Sequence, residues 1–221
     1  MYCGTADDVA KTIWTKKAPG CNYNGNTSVV VYDTNYPVPY PAYTVLFEIP
    51  QALPIIFAVN IANNAQVPAN AATLIQNAIV AAFSGGDGGS RARIGSIIYA
   101  SRYYGAVAAL GSWVQIISIL IGCQNTAAAH CTTGSIAGTA FTESGVTTGT
   151  FAIGQTLVDK TGHISPGTVI MSGTSPNWVI NNSQTVASEI IYGVVADQND
   201  VTAQIDQSPT ISALNIAVTV T

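Results

Sequence analysis

Charged side chains are scarce in this sequence. They make up 8% of its 221 residues, whereas about 25% is usual in soluble domains. The formal net charge is −4 at pH 7, which argues against binding to a phosphate backbone. A surface built from Ser, Thr, Asn, Gln and Ala opposes association only weakly. The composition therefore favours a subunit that packs against other subunits, although an extracellular adhesive module would share it.

Long hydrophobic runs are also missing. The longest apolar stretch, "VQIISILIG" at 114–122, is interrupted by Gln115 and Ser118, and a membrane helix needs about 20 apolar residues. The first residues, "MYCGTADDVAK", contain acids instead of the basic and apolar regions of a signal peptide. We therefore expect no membrane insertion and folding in a reducing compartment.

Cysteine and histidine are few, and one stretch, "GCQNTAAAHCTTG" at 122–134, holds Cys123, His130 and Cys131. A structural zinc site needs four ligands, and no second cysteine pair follows. A Cys/His nucleophile needs an orienting group, and a Cys123–Cys131 disulfide is disfavoured in a reducing compartment. The remaining interpretation is a joint with free thiols, where one sequence texture changes into another. No residue is assigned as a metal ligand.

Motifs of catalysis and cofactor binding are likewise missing. "GGDGG" at 85–89 lacks the Gly-Lys-Ser/Thr of a phosphate loop and is interpreted as a linker. His163 lies in a predicted turn, near only one carboxylate in sequence, Asp159, and is interpreted as a solvated loop residue. Arg91, Arg93 and Arg102 are assigned to subunit salt bridges. We predict no catalytic residues, no cofactor and no enzymatic activity.

Hydrophobic periodicity predicts the main elements. Thr5 and Asp8 form a Thr-x-x-Asp capping box before a helix at about Thr5–Lys17, which "APG" at 18–20 ends. Further along, the pattern predicts strands at 26–33, 41–50, 54–62 and 112–122, helices at 69–83 and 93–104, and two short strands in the tail.

Residues 124–195 have a different texture, rich in Gly, Thr and Ser, with turn signals about every ten residues. We predict an α+β core of short strands and two or three helices, formed by 1–123 with 196–221. Into this core, residues 124–195 are predicted to insert a small all-β sandwich or barrel-like domain.

A resemblance then emerges from a pattern spread over many positions. The pattern begins with a glycine, an acidic pair and a helix with "IW..K.PG", and it continues with "GNTSV.V.D" and "F.IP". It resembles the C-terminal part of the baseplate J-like family of contractile phage tails. The closing "IDQSPTISALNIAVTV" at 205–220 resembles the family's last element. The matching positions are Gly4, Asp7, Asp8, Ile13, Trp14, Lys17, Pro19, Gly20, Gly25, Asn26, Thr27, Phe47 and Pro50.

Two features depart from that family. Its members usually have a long N-terminal region that this sequence lacks, so the chain is expected to be a fragment or a reduced version. Residues 124–195 interrupt the match and resemble the small β modules of phage tail and fibre proteins. The resemblance therefore covers about 1–123 and 196–221.

The resemblance implies a structural wedge subunit, present in multiple copies in a ring around the tail hub. Its expected partners are other wedge and hub subunits and a tail fibre or fibre adaptor, with no nucleic acid. The chain would assemble in the host cytoplasm, reside in the virion baseplate and take part in sheath triggering. Aromatic residues are enriched at such contacts, and the candidates are Trp14, Tyr103, Tyr104 and Trp178. The alternative is an adhesive or carbohydrate-binding β module, with a cell-wall hydrolase third.

Overall fold

The structure, a computed structural model, describes residues 4–18 and 20–221. Contacts divide the chain into two compact units, residues 1–50 and residues 51–221. Within the described residues the protein is a mixed α/β chain with more strand than helix. Its elements in chain order are α1 (Ala6–Lys16), β1 (Thr27–Tyr32), β2 (Ala42–Phe47), β3 (Gln51–Pro54), β4 (Ile56–Ile61), α2 (Ala71–Phe83), β5 (Ile97–Tyr99), α3 (Tyr104–Ala108), β6 (Ile116–Gly122), β7 (Ala129–Thr142), β8 (Val146–Gly149), β9 (Thr156–Val158), β10 (Ile170–Thr174), β11 (Asn177–Val194), β12 (Asp200–Thr202), β13 (Gln207–Thr210) and β14 (Ile216–Val220).

The N-terminal unit, residues 1–50, is one helix on one hairpin. The predicted capping box of α1 is confirmed, because the Thr5 side chain accepts from the Asp8 amide and the Asp8 side chain accepts from the Thr5 amide. Strands β1 and β2 pair antiparallel, with Thr27 opposite Phe47. Ala10, Val31 and Val45 form the small buried core between helix and hairpin. Pro19, part of the predicted helix stop, lies outside the described residues.

The C-terminal unit, residues 51–221, is organised around β4. Strand β14 pairs parallel with β4 on one side, and β6 pairs antiparallel with it on the other. Helix α2 buries Ile75, Ile79, Ala82 and Phe83 in the cluster that surrounds this sheet, as the predicted 69–83 helix requires. Strand β13 pairs parallel with β3, so the tail contributes three strands instead of the predicted two.

The predicted helix at 93–104 is wrong. Ile97–Tyr99 is the strand β5, paired antiparallel with β12, and it continues into a 3-10 turn and the short α3. Gly95 has φ +71°, a left-handed conformation that interrupts a helix. Ile98 is buried while Ile97 and Tyr99 are exposed, which is the period of a strand.

Residues 124–195 form an all-β sheet in which the strand order is β10, β11, β7, β8, with β9 also beside β11. Two of its strands are long, with 14 residues in β7 and 18 in β11, although turn signals recur about every ten residues in this segment. Several β-bulges interrupt their pairing, and bulges let long strands bend. This segment has its own buried cluster, which includes Ile136, Phe141, Phe151 and Leu157. Its contacts with the flanking core nevertheless place it in the same compact unit, residues 51–221, so its status as an inserted domain stays a prediction.

Candidate interaction surfaces

Two of the four aromatic candidates are core residues. Tyr103 is 2% exposed, with its ring edge-on to Phe57 at 4.9 Å. Burial raises its pKa to about 12. Trp178 is 7% exposed within the β cluster of residues 124–195. Little of either side chain is exposed, so their assignment as contact residues stays a prediction with little accessible surface behind it.

The other two candidates keep part of their surface. Tyr104 is 36% exposed, and its hydroxyl accepts a 2.9 Å hydrogen bond from the Ile119 amide. Trp14 is partly buried beside the small core of the N-terminal unit, and its ring lies 5.7 Å from that of Tyr43. Both side chains are held by their own chain and still present one side to solvent.

The largest set of exposed apolar side chains lies on the β1–β2 hairpin and its connection, and we call it the hairpin patch. Helix α1 covers one face of the hairpin, because Val31 and Val45 are buried against it. The other face and the Pro-rich connection remain uncovered. The patch consists of Val30 and Tyr32 on the uncovered face, of Tyr36, Val38 and Tyr40 in the connection, and of Tyr43, which lies on the helix side beside Trp14. All six are between 41% and 76% exposed.

The base of this connection is ordered. The Asp33 amide donates to the Pro41 carbonyl, and the buried Asp33 carboxylate accepts from the backbone and side chain of Asn35 at 3.0 and 2.9 Å. The patch was missed in the sequence, where strands were predicted at 26–33 and 41–50, on either side of the connection "NYPVPYP". The available signal was the alternation of Tyr with Pro. Proline has no backbone N–H to donate to a neighbouring strand, so such a segment is not expected to be buried within a sheet.

The three arginines line one cavity of about 420 Å³, beside exposed Ile97 and Tyr99. Arg102 donates two 2.6 Å hydrogen bonds to Asp87. These bonds lower the pKa of Asp87 to about 2. The salt bridge of Arg102 therefore lies within the chain and fixes the "GGDGG" loop, which corrects the expectation of a subunit contact for this residue.

The cysteines at the proposed joint lie in different hydrophobic clusters. Cys123 belongs to the cluster around β4, and Cys131 belongs to that of residues 124–195. Burial raises the pKa of both thiols. The His130 ring stacks on Tyr192 with centroids 5.5 Å apart, and its Nε2 contacts Thr147. This histidine is thus oriented by partners other than either thiol.

The chain leaves and re-enters the core side by side. Ile121 and Gln198 exchange two backbone hydrogen bonds of 2.9 Å, and the Ala128 amide donates to the Gly193 carbonyl at 2.9 Å. The two ends of the 124–195 segment are therefore adjacent, as a joint at 123–134 with a return at 192–200 requires.

Within residues 4–18 and 20–221, no helix has the length and apolar character that a membrane crossing requires. A scan against protein-family models and a search of curated proteins found no match for this chain.

Proposed function

We propose that this chain is a non-enzymatic wedge subunit of a contractile phage-tail baseplate, or of a related contractile particle. The hairpin patch is the observation that carries the proposal. Six large apolar side chains are exposed on one small hairpin and its connection, and exposed apolar surface of this kind marks sites of protein contact. Tyr residues suit such contacts because they bury much area and retain a polar group.

The scarcity of charge supports the same function. A chain with 8% charged residues has little electrostatic repulsion between copies at close approach. A ring of subunits around a hub benefits from that property, whereas a free monomer gains nothing from it. The patch and the weakly charged surface together favour a protein that acts inside an assembly.

Contacts between the segments of the resemblance support it further. The Asn26 side chain of "GNTSV" makes hydrogen bonds with Glu48 and Ile49 of "F.IP". In the C-terminal unit, the closing segment supplies β13 and β14, which pair parallel with β3 and β4. Residues that are distant in sequence but belong to one pattern thus depend on each other structurally.

The alternative, a carbohydrate-binding module, loses its best candidate through the burial of Trp178. Stacking on a sugar needs an open aromatic face, and the exposed tyrosines of the hairpin patch are what remains for it. A sugar-binding screen of the purified chain therefore belongs in the same set of experiments.

The first test is deletion of the gene in the phage or particle that encodes it. Particles should then lack complete baseplates, and the purified chain should show no hydrolase activity. Infectious particles with normal baseplates but without this chain would overturn the proposal.

The second test addresses the patch. A triple variant with Tyr36→Ser, Val38→Ser and Tyr40→Ser should fold with an unchanged circular dichroism spectrum but fail to enter particles. The matched control is Ile205→Ser, since Ile205 is 85% exposed outside the patch and should be dispensable. Normal incorporation of the triple variant would show that the patch is not the contact. Glycan binding that the triple variant loses would favour the adhesive alternative.

A further inference from the structure

The geometry points to a divalent transition-metal site formed by Asp159, His163 and Glu189, with Zn²⁺ as the best-fitting ion. One oxygen or nitrogen of each residue lies within 4.8 Å of those of the other two. This inference is independent of the proposed function, because it concerns ion binding by the chain alone.

Different parts of the β segment bring the three residues together. Asp159 follows β9, His163 lies four residues later in the loop, and Glu189 is on β11. Sequence reasoning placed Asp159 near His163 but missed Glu189, 26 residues beyond the histidine. Strands β9 and β11 pair next to the loop, with Val158 opposite Tyr192. This pairing brings Glu189 close to Asp159 and His163.

The loop is held in place before any ion binds. The Asp159 carboxylate is 2% exposed and accepts from the His163 amide at 2.8 Å and the Ile164 amide at 3.3 Å. The His163 Nδ1 atom lies 3.1 Å from Glu189 Oε2. The histidine side chain is 65% exposed, which leaves a side of the cluster open to an ion from solvent.

The cluster has too few protons for its acceptors. The Thr161 hydroxyl contacts Asp159 Oδ2 and lies 2.8 Å from Glu189 Oε2 and 2.9 Å from His163 Nδ1. A hydroxyl donates a single proton, so it serves only one of the two carboxylates. If His163 Nδ1 carries a proton, it can donate that proton to Glu189. The Thr161 hydroxyl oxygen still lies beside oxygens of both carboxylates, and in one of these two contacts no proton separates the oxygens.

The second oxygen of Glu189 is a further observation. Oε1 is buried and has no hydrogen-bond partner, although the side chain as a whole is 17% exposed. Burying a carboxylate oxygen without a donor is costly. A bound cation offsets that cost, because it supplies positive charge beside Glu189 that the surrounding protons do not provide.

The donor set selects the type of ion. One imidazole nitrogen with two carboxylate oxygens suits Zn²⁺ and similar ions, whereas Ca²⁺ and Mg²⁺ prefer oxygen ligands alone. Three protein ligands leave a fourth position for water. The ligand atoms of a tetrahedral zinc ion lie roughly 3.3 Å apart. Binding therefore requires the three ligand atoms to move slightly closer together and the Thr161 hydroxyl to rotate out of the space between them.

The experiment titrates the full chain with zinc chloride in a background of Cys3→Ser and Cys21→Ser, which removes the exposed thiol of Cys21 and the further cysteine at position 3. We expect one zinc ion per chain by calorimetry and a higher melting temperature. His163→Gln and Glu189→Gln should each weaken binding at least about tenfold. The matched controls are His130→Gln and Asp206→Asn, which should bind zinc as the background does.

Thr161→Val supplies a measurement that is independent of the ligands. Removing the hydroxyl should strengthen zinc binding, because the centre of the cluster is vacated, while the apoprotein loses stability. If the cluster is only a hydrogen-bonded turn, the variant is destabilised with and without zinc alike. Zinc binding that neither His163→Gln nor Glu189→Gln weakens, or no binding by the background chain, would overturn the site.

Discussion

Asn26 and Ile49 are joined by two hydrogen bonds across the open end of the β1–β2 hairpin. Asn26 Nδ2 donates to the Ile49 carbonyl at 2.8 Å, and Asn26 Oδ1 accepts from the Ile49 amide at 2.9 Å. The same side chain donates to Glu48 Oε1 at 2.6 Å and accepts from the Thr27 hydroxyl. One amide side chain therefore replaces the next pair of backbone bonds in the ladder.

Asn26→Ala should destabilise the N-terminal unit by about 1–2 kcal/mol, because it leaves the Ile49 amide and carbonyl without these partners. The effect should appear as faster amide hydrogen exchange in β1 and β2. Asn24→Ala is the matched control, since Asn24 is exposed two residues earlier. Equal exchange in both variants would mean that the hairpin does not depend on this side chain.

Tyr103 makes stability sensitive to alkaline pH. Burial raises its pKa to about 12 from an ordinary value of 10, so the folded state disfavours the phenolate. Its contribution is complete below pH of about 10 and is lost as pH rises from there through about 12. The free energy of unfolding of the Tyr103→Phe variant should therefore fall less steeply with rising pH across this range than that of the wild type.

The measurement for Tyr103 is the urea midpoint between pH 9 and 12, at constant ionic strength. Tyr99→Phe is the control, since the Tyr99 side chain is 51% exposed and its removal leaves the burial of Tyr103 unchanged. If wild type and Tyr103→Phe lose stability in parallel, then Tyr103 does not provide the sensitivity.

The buried thiols should be unreactive and unpaired. In a Cys3→Ser background, we expect Cys21 to react quickly with a thiol reagent because it is exposed. Cys123 and Cys131 should react only on unfolding, since burial both blocks access and raises their pKa, which lowers the thiolate fraction.

Mass spectrometry and elemental analysis complete the thiol test. An intact mass lower by two hydrogens, restored by reduction, would reveal a disulfide. Zinc that is lost on Cys123→Ser or Cys131→Ser would reveal a metal site at the joint. Zinc that survives both substitutions would instead belong to the cluster at Asp159.

Deleting residues 126–195, with a short Gly/Ser bridge, should leave the cluster around β4 folded. The backbone bonds between Ile121 and Gln198 already hold the two ends together. One cost is foreseeable: Ile56 is 4% exposed and packs against Val158 and Val194, so the deletion uncovers it. Adding Ile56→Thr should restore solubility.

The helical circular dichroism of the deleted chain decides this question. Retention of the signal, with cooperative unfolding, would establish residues 124–195 as a separable module. Loss of the signal in the chain that also carries Ile56→Thr would show instead that the segment is part of the core.

Local signals predicted the elements that local chemistry controls. The capping box at Thr5 and Asp8 and the apolar face of α2 were readable because their partners lie three or four residues away. The 93–104 segment was mispredicted because its alternation at Ile97–Tyr99 is satisfied by β12, about 100 residues later in the chain. The length of β7 and β11 was not apparent from the sequence, because their glycines, which resemble turn signals, lie at bulges or within the strands.

The candidate surfaces and the metal cluster follow the same division. The sequence by itself determined the low charge, the helix α1 and the β character of 124–195, since each depends on composition or short-range spacing. Only the tertiary structure decided that Tyr103 and Trp178 are buried, that the hairpin patch is exposed, and that Glu189 lies beside His163. The burial of a side chain and the proximity of residues far apart in sequence depend on which distant strands pair. That pairing is determined by the packing of the whole unit.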